Sequence, residues 1–186
     1  MFGQEQGVVT RAIIANAPHP AVFQRLLLTD PDQRSASQYM RAFRDPANDA
    51  LVREHGLGGL LMKEVRWEGK AQNDPAETAV LLEQWSDPER AFAMLNWYRA
   101  SQVHVPAPDD PLGVPDSHQF PDLPVIEVPT LVMWGMDDPA LRPGNVDGLD
   151  EHVADLTVER IEDCGHFTPW EAPDAVNAAI GRFLSA

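Results

Sequence analysis

The chain has 186 residues, 44% hydrophobic and 23% charged, ordinary values for a folded domain, and a length matching one or slightly more domains of about 150 residues. A formal net charge of −15 at pH 7 repels phosphate backbones, with no local basic stripe to offset it, so nucleic-acid binding is not expected. No run approaches the ~20 apolar residues of a membrane span, and Met1 to Thr10 lacks the pattern of a secretion signal; a single cysteine, Cys164, excludes an internal disulfide framework and a Cys-based zinc site. A cytoplasmic, soluble, globular protein is the expectation.

The first readable element is a β-branched run, Val8 to Ala15, stopped by Asn16-Ala17-Pro18-His19-Pro20, where two prolines forbid a helix. A helical zone follows from Ala21 to Arg44, with Val22, Leu26 and Leu27 on one side. Pro46 interrupts it, and further helices are expected over about 48–64, 75–84 and 87–100. Asp74-Pro75 and Asp87-Pro88 have the chemistry of an N-cap followed by the first helical residue. From Val103 to Pro129 the prolines crowd (106, 108, 111, 115, 121, 124 and 129), which predicts an extended connector.

After the connector, Pro129 to Gly135 is a continuous apolar run between breakers, the pattern of a strand buried on both faces in a parallel sheet. A helix over Gly144 to Val153, a strand over Leu156 to Ile161, a turn at Asp163-Cys164-Gly165-His166 and a last amphipathic helix over about 171–184 complete a βαβα unit. The C-terminal third is therefore read as α/β.

Asp138 and His166 each follow one of these strands. Functional groups of open α/β sheets sit beyond the carboxyl ends of their strands, so the two side chains can meet there. A carboxylate beside an imidazole fixes its tautomer and stabilises the imidazolium formed when it takes a proton. Histidines in such turns are also common structural residues, and spacing alone leaves both readings open. Asp137 is a rival for the acid, although its ordinary reading is a solvated loop charge. The chain has only two tyrosines, Tyr39 and Tyr98, both in the helical zone. A phenol with pKa near ~10 stays protonated at neutral pH and can donate to an oxygen gaining charge. Buried tyrosines often do no more than pack and bond their hydroxyls.

The words around these residues carry a resemblance. Trp134-Gly135-Met136-Asp137-Asp138 resembles the acid-bearing Trp-Gly-x-x-Asp segment of the α/β-hydrolase superfamily. Asp163-Cys164-Gly165-His166-Phe167, with Glu171-Ala172-Pro173, resembles its histidine turn, and acid before histidine is the order of that superfamily. Asn16 to Pro20, the segment around Tyr39 and Asn96-Trp97-Tyr98-Arg99-Ala100 resemble its epoxide-hydrolase branch. The resemblance implies an α/β fold in three parts: a core strand in residues 1–17, a helical cap with its Pro-rich connector in 18–128, and the last core strands in 129–186. It also implies Asp138 as the catalytic acid, His166 as the base, and Tyr39 and Tyr98 as the phenols that polarise an epoxide. An aspartate nucleophile would form an ester with the substrate, and histidine would then activate water to hydrolyse it. No cofactor is implied, and the histidines show no metal-ligand spacing.

The resemblance is incomplete. No Gly-x-Asp-x-Gly or Gly-x-Ser-x-Gly elbow and no His-Gly-x-Pro-type loop occurs in residues 1–186. Cys164 reads as a small packing residue, and Ser35, Ser37 and Ser101 fall in the cap, so no substitute nucleophile is expected. The expectation is a truncated hydrolase, inactive by itself toward its small-molecule substrate. An alternative is a non-catalytic binding or complementation module that associates with itself or another chain through an exposed sheet edge. Another is a haloalkane or ester hydrolase on the same frame, for which Trp67, Trp85, Trp97, Trp134 and Trp170 are candidate pocket residues. Arg99 beside Tyr98 is read either as positioning that phenol or an anionic substrate, or as a surface arginine.

Overall fold

The structure, a computed structural model, describes residues 9–64, 75–120 and 122–185. The chain forms two compact units, one of Met1–Leu26 with Pro115–Ala186 and one of Leu27–Val114.

The first unit is built on a parallel sheet. Strands β1 (Ala12–Ala15), β2 (Thr130–Gly135) and β3 (Leu156–Ile161) lie in that order, with Ala12 opposite Thr130 and Thr130 opposite Leu156. All six residues of β2 are buried, as its uninterrupted apolar run predicts for a central strand. Side chains alternate across it, so Leu131 and Met133 share one face with Val176 and Ala179. Those two belong to α8 (Pro173–Ser185), whose Ile180 and Phe183 extend the same cluster. Trp134 is wholly buried, and its indole N–H donates to Leu141 O at 3.2 Å.

Two expectations in this unit change. The first strand is only Ala12–Ala15, because pairing with β2 begins where Ala12 N–H bonds Pro129 O; Val8 lies outside the described residues. The helix expected over Gly144 to Val153 is instead two short 3-10 turns, Pro143–Val146 and Leu149–Glu151, separated by Gly148 at φ +78. A left-handed residue there ends one turn and starts the next, so a continuous α-helix cannot form. The last helix, expected over about 171–184, is α8, and a single turn α7 (Thr168–Glu171) precedes it. No strand pairs with the outer edge of β1 among the described residues.

The second unit is helical. Helix α1 (Pro20–Thr29) runs into it and is followed by α2 (Pro31–Ala36), α3 (Tyr39–Arg44), α4 (Asp49–Glu64), α5 (Pro75–Ser86) and α6 (Pro88–Ala100). The helical zone expected from Ala21 to Arg44 consists of three helices. Asp30 breaks it first: its carboxylate accepts from Asp32 N–H and Gln33 N–H, and Pro31 takes the first position of α2. Asp87 caps α6 in the same way, as its sequence predicts, whereas Asp74 lies outside the described residues. Helix α4 kinks at Gly56, which has φ +67 and packs so closely on Trp85 O that a Cβ would come within 2.1 Å. Phe43, Val52, Leu57, Leu60, Ala91 and Leu95 form the core.

A buried arginine organises the unit's connector. Arg34, 2% exposed, donates to Leu27 O, Leu28 O, Asp110 O and Pro111 O, and so ties the end of α1 to the Pro-rich segment. The guanidinium fork suits this task because it offers five donors and stays charged. Carbonyls that have no strand or helix partner in the connector are satisfied this way.

Candidate active site

The end of β2 and the turn after β3 are built against each other. A Cβ on Gly135 would stand 2.2 Å from Gly165 O, so glycine alone permits the approach. Met136 N–H bonds Ile161 O at 3.0 Å, and Asp137 N–H bonds Cys164 O at 2.9 Å. These contacts bring the two strand-end turns together and with them Asp138 and His166.

Asp138 is fully buried, and both carboxylate oxygens are occupied. Its Oδ1 accepts from Ala140 N–H at 2.8 Å and Leu141 N–H at 2.9 Å. Its Oδ2 accepts from the Asn16 amide at 2.7 Å and lies 2.8 Å from His166 Nδ1. Burial pushes this carboxyl up, but the hydrogen bond and charge of His166, with the bonds from Leu141 and Asn16, outweigh it and hold the group below its ordinary range. His166 is shifted the other way: the bond to Asp138 raises it, burial opposes, and the charges of Asp138 and Glu171 add to the rise. With Nδ1 committed to Asp138, Nε2 is the nitrogen left to take a proton.

The turn itself is clamped by Glu171, whose Oε2 accepts from Gly165 N–H at 2.8 Å and Oε1 from Phe167 N–H at 3.0 Å. One carboxylate therefore grips the backbone on both sides of His166. Buried Thr168 donates its hydroxyl to Asn16 Oδ1. Asn16, Thr168 and Glu171 were not legible as site residues in the sequence. Asn16 and Glu171 lie in segments that carry the family resemblance, but nothing in the sequence tied either side chain to the acid–histidine pair.

Asp137 is exposed, which fits its reading as a solvated charge. Cys164 is buried at 1% exposure, as a packing residue would be.

In the helical unit, Tyr39 opens α3 and Tyr98 lies in the last turn of α6. The structure brings the two rings together at 6.0 Å, edge to face, and Phe43 packs on both, at 5.3 Å from Tyr39 and 4.9 Å from Tyr98. Burial raises the Tyr98 phenol above its ordinary value, and a hydrogen bond with Tyr39 partly opposes this. Arg99 positions neither phenol: its guanidinium donates to Phe43 O at 3.1 Å and to the Asp49 carboxylate at 2.6 Å, joining α3, α4 and α6. Among the tryptophans, Trp134 is sheet core, Trp85 packs on the helical core, and Trp97 is 81% exposed; Trp67 lies outside the described residues. No group of three or more His, Cys, Asp or Glu that could hold a metal ion occurs among the described residues. No helix among them is long and apolar enough to cross a membrane.

Comparison with known proteins decides the family. The profile described as alpha/beta hydrolase fold matches residues 10–173, most of the chain. The chain belongs to the α/β-hydrolase family. Within this family its relatives place it in the epoxide-hydrolase branch. It is 27% identical over 186 residues to epoxide hydrolase 3 of Xenopus tropicalis, an alignment covering 97% of this chain and 47% of that protein. A solved structure described among novel epoxide hydrolases from metagenomes of hot environments is 60% identical, with a TM-score of 0.90 over 95% of this chain and 59% of the other. An inhibitor complex of the Bacillus megaterium epoxide hydrolase is 26% identical, with a TM-score of 0.75 over 96% of this chain and 61% of the other. The chain thus spans about half to three fifths of the length of the α/β-hydrolases it resembles.

Proposed function

We propose that this α/β-hydrolase chain carries the acid, the base and the oxygen-polarising phenols of an epoxide hydrolase that converts an epoxide to a diol through an alkyl-enzyme ester. The observation that carries the reading is the 2.8 Å contact between buried Asp138 and His166 Nδ1, in a chain of this branch. Asp138 holds the imidazole in one tautomer, and His166 Nε2 removes a proton from the water that cleaves the ester. The water oxygen bonds to the ester carbonyl carbon, the ester C–O bond breaks, the leaving alkoxide takes the proton held on His166 Nε2 and departs as the diol, and the nucleophile regains its carboxylate. Tyr39 and Tyr98 donate to the epoxide oxygen as its C–O bond opens in the earlier step. Neutral phenols suit that role, and burial of Tyr98 keeps its proton in place at higher pH.

The nucleophilic carboxylate and the oxyanion donors have no motif in residues 1–186. These residues alone therefore turn over epoxide negligibly, since removing a nucleophile abolishes most catalysis. The test is to fuse the chain behind the front segment of its 60%-identical relative and assay diol formation from an aryl epoxide. Turnover by the fusion, lost in His166→Ala and strongly reduced in Tyr39→Phe with Tyr98→Phe, is expected. Diol formation by the unfused chain, or by the fusion without need of His166, would overturn the reading. The rate should rise with pH as His166 loses its proton, with an apparent pKa above the ordinary ~6.5 of histidine.

A further inference from the structure

We infer that Asn16 is a positioning residue for the acid–base pair: its amide fixes which Asp138 oxygen faces His166 and so holds the histidine in its Nδ1–H tautomer. This rests on the reading of Asp138 and His166 given above and adds a residue to it.

Asn16 stands just beyond β1, buried, with φ +42. That left-handed conformation is uncommon for a residue with a side chain, and asparagine is among the few that adopt it readily. It turns the amide back over the end of β2. There Asn16 Oδ1 accepts from Gly135 N–H at 3.0 Å and from the Thr168 hydroxyl. The Gly135 N–H, which can only donate, identifies that atom as the carbonyl oxygen, so the NH2 group must point at Asp138 Oδ2, 2.7 Å away. The amide cannot flip without setting an oxygen against a carboxylate and an NH2 group against the Gly135 N–H.

Rotation of Asp138 is blocked in turn. Its Oδ1 is bound by two backbone N–H groups, and Oδ2 divides its two lone pairs between Asn16 and His166. Without Asn16, one Oδ2 lone pair is open, and the carboxylate is free to turn or to admit water beside the imidazole. The hydrogen bond that selects the tautomer then weakens. The charged groups around His166 are Asp138 and Glu171, with Arg142 Nη1 at 3.4 Å from the Asp138 carbonyl. None of them replaces the amide, because the carboxylates carry no donor and Arg142 is engaged at the backbone.

The test uses nitrogen-15 NMR of the histidines in the full chain, titrated with pH. Asn16→Gly removes the amide but keeps a residue that tolerates φ +42, so the turn survives. The expected result is a fall in the His166 pKa toward about 6.5 and mixing of its two neutral tautomers. An unchanged or raised pKa with a single tautomer, in a folded Asn16→Gly chain, overturns the inference. Should that variant fail to fold, Asn16→Asp keeps the size and backbone preference. It should then retain one shared proton between residues 16 and 138 above the ordinary carboxylate range, and two ordinary carboxylate titrations would show that the contact does not exist. Asp138→Asn separates this inference from the one beneath it. If Asp138→Asn leaves the His166 titration untouched, the acid–base pair itself fails. If it shifts His166 while Asn16→Gly does not, only the role of Asn16 fails.

Discussion

The sheet unit and the helical unit hold their polar groups by different means. Asp138 is fully buried and takes two donors on each oxygen, so hydrogen bonds define its position on every side. Tyr39 and Tyr98 pack edge to face on each other and on Phe43, with a hydrogen bond between the two phenols. The difference follows from charge. A carboxylate kept ionised without water needs nearly all its lone pairs satisfied, whereas a neutral phenol needs one partner and apolar surroundings. A buried charge therefore recruits residues from several parts of the chain, here the segments that follow β1, β2 and β3, while a buried phenol needs only a packed helix pair.

The largest expected effect breaks the sheet unit alone. Asp138→Ala strands the Asn16 amide and the Ala140 and Leu141 N–H groups in a buried pocket, and about 3–5 kcal/mol of stability should be lost. Hydrogen exchange resolved by residue would show the loss in β1, β2 and β3 and leave the α4–α6 core unaffected. Equal loss in both units would mean that they do not differ as described.

A paired substitution sharpens the comparison at the backbone. Gly135→Ala drives a Cβ into Gly165 O, and Gly56→Ala drives one into Trp85 O at a left-handed position. Each should destabilise its own unit by about 1–3 kcal/mol, read from urea unfolding followed by residue-resolved exchange. Tyr98→Phe is smaller, about 1 kcal/mol for one hydrogen bond, because the ring contacts stay.

The smallest effect is pH dependence, which has opposite limbs in the sheet unit. Asp138 is lowered on folding, so its contribution is present above about pH 4 and is lost as pH falls through its folded value. His166 is raised, so its contribution is complete below about pH 6.5 and is lost as pH rises through its folded value. The pair thus stabilises the sheet unit most between those limits. Tyr98 is also raised, but from about 10, so its contribution fades only in alkali. Moving from pH 5.5 to 8.5 should lower exchange protection factors, which correct for the intrinsic rise in rate with pH, around β2 and β3 and leave those around α6 unchanged by the phenol.

The same contrast explains what could be read in the sequence. Strand β3 was legible to the residue and β2 to within one, because a buried strand between breakers leaves a continuous apolar run. The α/β-hydrolase fold followed from those strands and the motifs after them. Asp138 and His166 stand at strand ends and were visible as a pair for that reason. Asn16, 122 residues from Asp138 in the chain, becomes a partner only when β1 lies beside β2. The helical zone from Ala21 to Arg44 was legible as a zone, but its division was not drawn, although Asp30-Pro31 carried the cap chemistry that divides it. The helix expected over Gly144 to Val153 failed for a similar local reason, the left-handed Gly148.

The most direct test of the proposed hydrolase is intact-protein mass spectrometry of His166→Gln, with the chain fused behind the front segment of its 60%-identical relative and mixed with an aryl epoxide. If His166 activates the water that cleaves the ester, alkylation proceeds without it, and the protein gains the mass of one epoxide and keeps it. Continued diol release by this variant, or an unmodified protein from a fusion whose parent is active, would contradict the account.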